Sequence, residues 1–327
     1  MQEILSKPIR DLGLKLEGSP IERFVQQLYR ELDVKGLYKF RPLCYLTDEW
    51  GCPSGEPVIG IPFYLANPDL AQLEREINDL EDAREIMMYM RHEAGHAFNY
   101  AYQLYKTAEW REVFGPFRRA YRDTYRPVPF SRKYVRHMAG WYAQKHPDED
   151  FAETFAVWLT PRSNWRKRYR GWGAMAKLQY MDQVAKKFGD VEPLRRRGRT
   201  DITVDEMEST VGEFYRLTVQ EEIPLEELAL DADLTDIFNV SRKKQKGVRP
   251  ADELVRQHRK PIVDKVAYWS GVQRPVIKRL VEAICNRIGE LDLRADVKRE
   301  PEHLTEFTVY TTALAMNYLT RGKFVQP

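Results

Sequence analysis

The stretch His92-Glu93-Ala94-Gly95-His96 decides how the rest of the chain is read. It follows Ile86, Met87, Met88 and Met90 and precedes Ala97 and Phe98, so it falls inside a strongly helical pattern. Two histidines four residues apart on a helix sit one turn apart on one face, and both imidazoles can reach one metal ion. Glu93, beside the first histidine, is placed to take a proton from a water held by that metal. The chain has only six histidines, and two of them form this pair. Gly95 is expected to remove bulk beside the metal.

A catalytic zinc site takes three protein ligands and keeps a fourth position open. Asn99 and Tyr102 stand where a metzincin continuation needs glycine and histidine, which excludes that class. The other common source of a third ligand is a carboxylate from a later helix. The segment His146-Pro147-Asp148-Glu149-Asp150-Phe151-Ala152-Glu153-Thr154-Phe155 offers one, on a helix expected over residues 148–159 that stops at Thr160-Pro161. Glu149 and Glu153 share a face of it. Like charges at that spacing repel mildly, so a cation or an imidazole N–H between them would offset the repulsion. One of the two can bind metal and the other can accept a hydrogen bond from a ligand imidazole. Residue type alone leaves open which is which. Taken by itself, the run Asp148, Glu149, Asp150 reads as an ordinary helix N-terminus whose acids favour the dipole. The need for a third ligand decides against that reading.

These two segments together resemble the zinc-binding metallopeptidases of the gluzincin type. In such zincins the later helix carries an acid, three intervening residues and a second acid, and the first acid is the ligand. The resemblance therefore implies Glu149 as the metal ligand beside His92 and His96, and Glu153 as the acceptor for a ligand histidine. It also implies an oxyanion donor at Tyr142, seven residues before Glu149 in Trp141-Tyr142-Ala143. His146 is a possible substrate contact. The resemblance covers residues 85–160, and the interval between His96 and Glu149 is longer than in thermolysin-like members. What it implies is one Zn2+ per chain, Glu93 as general base and a peptide or protein substrate. The alternative is a zinc-containing binding or regulatory protein without peptidase activity; the absence of cysteine near His92 argues against a closed structural site.

Outward from the motif, residues 70–106 read as two helices broken near Asn78 or Asp82, and another is expected over 108–121. Residues 37–46 and 58–65 read as strands, with Pro42 and Pro62 marking edge or irregular positions, and 58–65 could pair with an extended peptide. Upstream, residues 19–34 read as a helix capped by Ser19 with Glu22 closing a capping box. Downstream, Thr203 and Glu206 form a second such box, and Pro275 opens a helix with Val276, Leu280, Ile284, Ile288 and Leu291 on one stripe. The fold class expected is α+β and mostly helical. A zincin-like domain with a small edge-stranded sheet spans 1–195, and a mainly helical region covers 196–327.

At 327 residues, 43% hydrophobic and 31% charged, the chain can bury a substantial core. A net charge of +3 argues against strong capture of nucleic acid or membrane. The basic runs at 166–170, 195–199 and 242–246 read as solvated surface or loop. Cys44, Cys52 and Cys285 are too few for a disulfide framework, and Cys44 and Cys52 read as separate thiols. The start at Met1 lacks a signal-peptide pattern, and no apolar run reaches membrane-spanning length, so a cytoplasmic location is expected.

Overall fold

The computed structural model describes residues 2–78, 80–122, 125–218, 230–238 and 247–321. The chain divides into two compact units, Met1–Met138 with Tyr142–Val219, and Ala139–Trp141 with Gln220–Pro327. The division comes later than the boundary expected after residue 195, because residues 195–215 are tied into the first unit. The Arg195 guanidinium is bound to Gly55 O and Glu56, and Thr47 Oγ1 donates to Ile202 O. Val204, Met207, Val211 and Tyr215 are buried in the first unit's core.

The first unit opens with α1 (Gln2–Leu5) and α2 (Glu22–Val34). α2 begins after the expected Ser19 cap, because Ser19 Oγ donates backwards to Leu16 O and Glu22 accepts from the Gly18 N–H. β1 (Leu43–Thr47) and β2 (Val58–Pro62) then pair in parallel, with Tyr45 opposite Gly60. They form the small sheet expected. β2 is not an open edge for a peptide, however. All five of its residues are buried, and the Gly60 N–H and C=O are both bonded to Gly51, from the loop between the strands.

α3 (Pro68–Ile77) is capped by Asn67, whose side chain accepts from the Asp69 and Leu70 N–H groups. α4 (Ala83–Ala101) starts with a full capping box between Asp82 and Glu85. The Asp82 box falls at the expected break. α5 (Ala108–Phe114) is shorter than expected; Gly115, at φ 99°, and Pro116 end it. α6 (Pro147–Leu159) has Pro147 at its first position and is buried along its whole length. α7 (Trp165–Arg168), α8 (Ala174–Phe188) and α9 (Val211–Thr218) complete the unit.

α4 and α6 lie side by side at the centre, with α2 and β2 on α4 and α8 on α6. Two buried ion pairs fix the neighbours. Arg91 on α4 grips Glu31 on α2 in a bidentate contact, both bonds 2.7 Å, and Lys177 on α8 reaches Asp150 on α6 at 2.5 Å. Around them pack Phe98, Phe155, Phe151, Trp110 and Phe40.

The second unit contains α10 (Asp231–Ile237), β3 (Val248–Pro250), α11 (Ala251–Gln257), α12 (Arg259–Ser270), α13 (Arg274–Glu290), β4 (Arg294–Asp296) and α14 (Glu300–Arg321). It is mainly helical, as expected, with one short antiparallel ladder between β3 and β4. Leu280, Ile284 and Ile288 are buried on the predicted stripe of α13, while Val276 and Leu291 are only partly covered. All three cysteines are free thiols. Among the described residues no helix is long and apolar enough to cross a membrane. In the basic runs, Arg166 pairs with Asp182 and Arg195 with Glu56; residues 242–246 lie outside the described residues.

Candidate metal centre

α4 and α6 bring three donor atoms to one point. His92 Nε2 stands 3.0 Å from Glu149 Oε2, His96 Nε2 stands 3.2 Å from the same oxygen, and the two Nε2 atoms are 3.1 Å apart. All three residues are buried. Ligands at tetrahedral positions about 2.0–2.2 Å from a zinc ion lie roughly 3.3–3.6 Å from one another, so the observed triangle closes around such an ion with little adjustment. Two imidazoles and a carboxylate are also a donor set suited to zinc.

The outer nitrogens explain why the inner ones converge. His92 Nδ1 is 3.1 Å from Glu153 Oε1, and His96 Nδ1 is 2.9 Å from Asp148 Oδ2. With each Nδ1–H donating to its carboxylate, both Nε2 lone pairs face Glu149 Oε2. Each carboxylate is itself held. Glu153 Oε2 accepts from the backbone N–H groups of His137 and Met138, at 3.3 and 3.0 Å. Asp148 accepts from Asn99 Nδ2 at 2.7 Å and from the Tyr100 hydroxyl. Asn99 in turn accepts the Tyr105 N–H.

This arrangement calls for positive charge between the donors. Burial alone would lower the His92 imidazole, but Glu149 and Glu153 more than offset it and raise it to about 9. His96 is lowered by burial and raised further by Asp148 and Glu149, ending well above the ordinary histidine range. Burial would raise the Glu149 carboxyl, and the two imidazoles instead hold it well below its usual range. Protons or one divalent cation can meet that demand, and a cation satisfies all three donors at once.

Glu93 lies on the same helix, 7% exposed, and its carboxylate has no hydrogen-bond partner among the described residues. Burial pushes its pKa up, against the pull of His92 and His96. Tyr142 packs against His92 with ring centroids 5.7 Å apart. Its hydroxyl is 3.4 Å from both the Tyr121 hydroxyl and Lys145 Nζ.

His146 is placed differently from the expected substrate contact. It is buried, its Nδ1 accepts the Asp148 N–H as the cap of α6, and its Nε2–H donates to Arg119 O at 2.9 Å. Both ring nitrogens are therefore committed to holding the start of α6 against the 115–122 segment.

Two functional contacts were not foreseen. Asp148 binds His96, although an acid in the first turn of a helix ordinarily needs no further reason. The Tyr121 hydroxyl donates to Glu149 Oε1 at 2.7 Å, leaving Oε2 to face the imidazoles. No signal in the sequence marks Tyr121. Gly95 also acts elsewhere than expected. A Cβ there would meet α6 at Ala152 and Phe155, so the glycine makes room for the helix that carries Glu149.

A family model described as "Putative zinc-binding metallo-peptidase" matches residues 57–220, half of the chain. The chain belongs to this family. The matched span includes α4 and α6 with every residue of the cluster just described. No curated protein and no solved structure matches the chain.

Proposed function

We propose that this family member hydrolyses peptide bonds with one zinc ion held by His92, His96 and Glu149. The observation that carries the reading is the convergence of two imidazole nitrogens and one carboxylate oxygen, with the buried Glu93 beside them on the same helix as the histidines. Three ligands rather than four suit a catalytic ion with an open position. A zinc ion bound there would polarise the scissile carbonyl and bring a water's pKa to around 7.

The chain's own groups supply the rest. Glu93 takes a proton from the attacking water as its oxygen adds to the carbonyl carbon, and delivers that proton to the amine nitrogen as the C–N bond breaks. Its raised pKa, caused by burial, suits a group that must hold a proton between those events. Tyr142, whose ring packs on His92 and whose hydroxyl is 3.4 Å from that of Tyr121, donates to the developing oxyanion, and losing such a donor typically slows turnover about 10²-fold or more. Glu153 and Asp148 orient the two imidazoles, and Tyr121 keeps Glu149 from turning its second oxygen inward.

The test is Glu93→Gln assayed on a peptide library. Hydrolysis should fall below detection while zinc content stays at one ion per chain. Zinc-loaded wild type that cleaves nothing in the library would move the assignment to a zinc-containing binding protein.

A further inference from the structure

Beside the metal centre the first unit has a cavity of about 530 Å³ lined by Arg119, Arg122, Tyr125, Arg126, Gln144 and Lys145. Four of these side chains are cationic, and no carboxylate is among the lining residues described. We propose that this cavity is a substrate subsite that takes a carboxylate of the peptide, next to the bond being cleaved. The inference rests on the peptidase reading above and extends it to substrate class.

Three observations carry it. First, the cavity adjoins the reacting centre. Lys145 Nζ is 3.4 Å from the Tyr142 hydroxyl, the rings of Tyr125 and Tyr142 are 6.5 Å apart, and Tyr142 packs on His92. Second, its walls are held in place. Gln144 clamps the backbone of Val128 with two bonds, 2.8 and 3.0 Å, which fixes the chain just after Arg126. The His146 ring holds Arg119 O, and Lys145 lies over the rings of Tyr121 and Tyr142 at 4.4 and 5.2 Å. Third, the four basic residues line one concave space. A solvated basic face spreads its charges outward. A cleft lined by residues of one charge sign focuses the field on whatever enters. Arginine forks match a carboxylate in two-point geometry, and a peptide bound across the zinc site would bring its neighbouring side chain or its end into reach.

The carboxylate has two sources, an acidic side chain or the free C-terminus, and the experiment separates them. Quenched-fluorescent peptides carry one Glu, Gln or Lys scanned along the sequence, each made with an amidated and a free C-terminus. The full-length zinc enzyme should show kcat/KM about 10- to 100-fold higher for Glu than for Gln at one position, the range expected of a charge-assisted bond. A preference that tracks the free C-terminus instead assigns the subsite to the chain end. In Arg122→Glu/Arg126→Glu, both exposed positions, the preference should reverse toward Lys with zinc content unchanged. A Glu-to-Gln ratio near one at every position and both termini, or a ratio untouched by the charge reversal, overturns the proposal. Should no peptide be cleaved, the peptidase reading fails separately. The same peptides are then titrated against zinc-loaded Glu93→Gln by fluorescence anisotropy. Tighter binding of the acidic set retains the subsite, and equal binding of all sets rejects it.

Discussion

Gly95 on α4 lies directly against Ala152 on α6: a Cβ built on Gly95 would stand 2.8 Å from the Ala152 Cα and 3.0 Å from its carbonyl oxygen. The absent side chain lets the two backbones meet, and that contact sets His92 and His96 opposite Glu149 and Glu153. Alanine is ordinarily about 1 kcal/mol better than glycine inside a helix. Gly95→Ala should nonetheless destabilise the protein by about 1–3 kcal/mol through overpacking, and it should weaken zinc binding as the helices part. Denaturant unfolding of the variant checks the first effect. Equal or greater stability would show that the contact is not tight.

Asp148 and Glu153 hold the His96 and His92 imidazoles from behind. Asp148→Asn and Glu153→Gln should each lower zinc affinity about 10- to 100-fold in competition with a chelator. Glu153→Ala should in addition cost folding stability, because it strands the N–H groups of His137 and Met138 as well as the imidazole. Affinities within twofold of wild type would remove these carboxylates from the centre.

His146 separates a structural reading from a substrate contact. As the cap of α6, its loss in His146→Ala should cost about 0.5–2 kcal/mol, and His146→Asn should restore most of it. Unchanged stability together with a large rise in KM would return His146 to the substrate side.

The Arg91–Glu31 pair joins α4 to α2 with both side chains nearly inaccessible, at 11% and 7% exposure. Glu31→Ala leaves a buried guanidinium without its partner and should cost about 3–5 kcal/mol. The double change Arg91→Met/Glu31→Leu should recover much of that loss. Additive destabilisation in the double variant would mean that the pair is not coupled.

The core of the site was readable to different depths at different residues. The spacing of His92 and His96 places them on one helical face by geometry alone, and Asp82 and Pro147 stand where the two helices begin. The division of labour between Glu149 and Glu153 is not in their spacing, since both share a face. It depends on how α6 is set along α4, which Gly95 and Ala152 determine. Asp148 is hidden because an acid in a first turn already has a use. Arg119 and Tyr121 fall inside the helix expected over 108–121, but the chain leaves the helix at Gly115, so only folded coordinates bring them to His146 and Glu149. The extension of the first unit to Val219 is similarly a matter of tertiary packing by Val204, Met207, Val211 and Tyr215, behind a basic run that looks like a linker.

The central claim is that two imidazoles and one carboxylate hold a single zinc ion with a position left open. Zinc K-edge X-ray absorption on the purified, zinc-loaded chain reads that directly. The account predicts one zinc per chain, two histidine ligands with oxygen completing a four-coordinate shell, and one histidine fewer in His96→Ala. Sulfur in the shell, or a spectrum unchanged by His96→Ala, would contradict it.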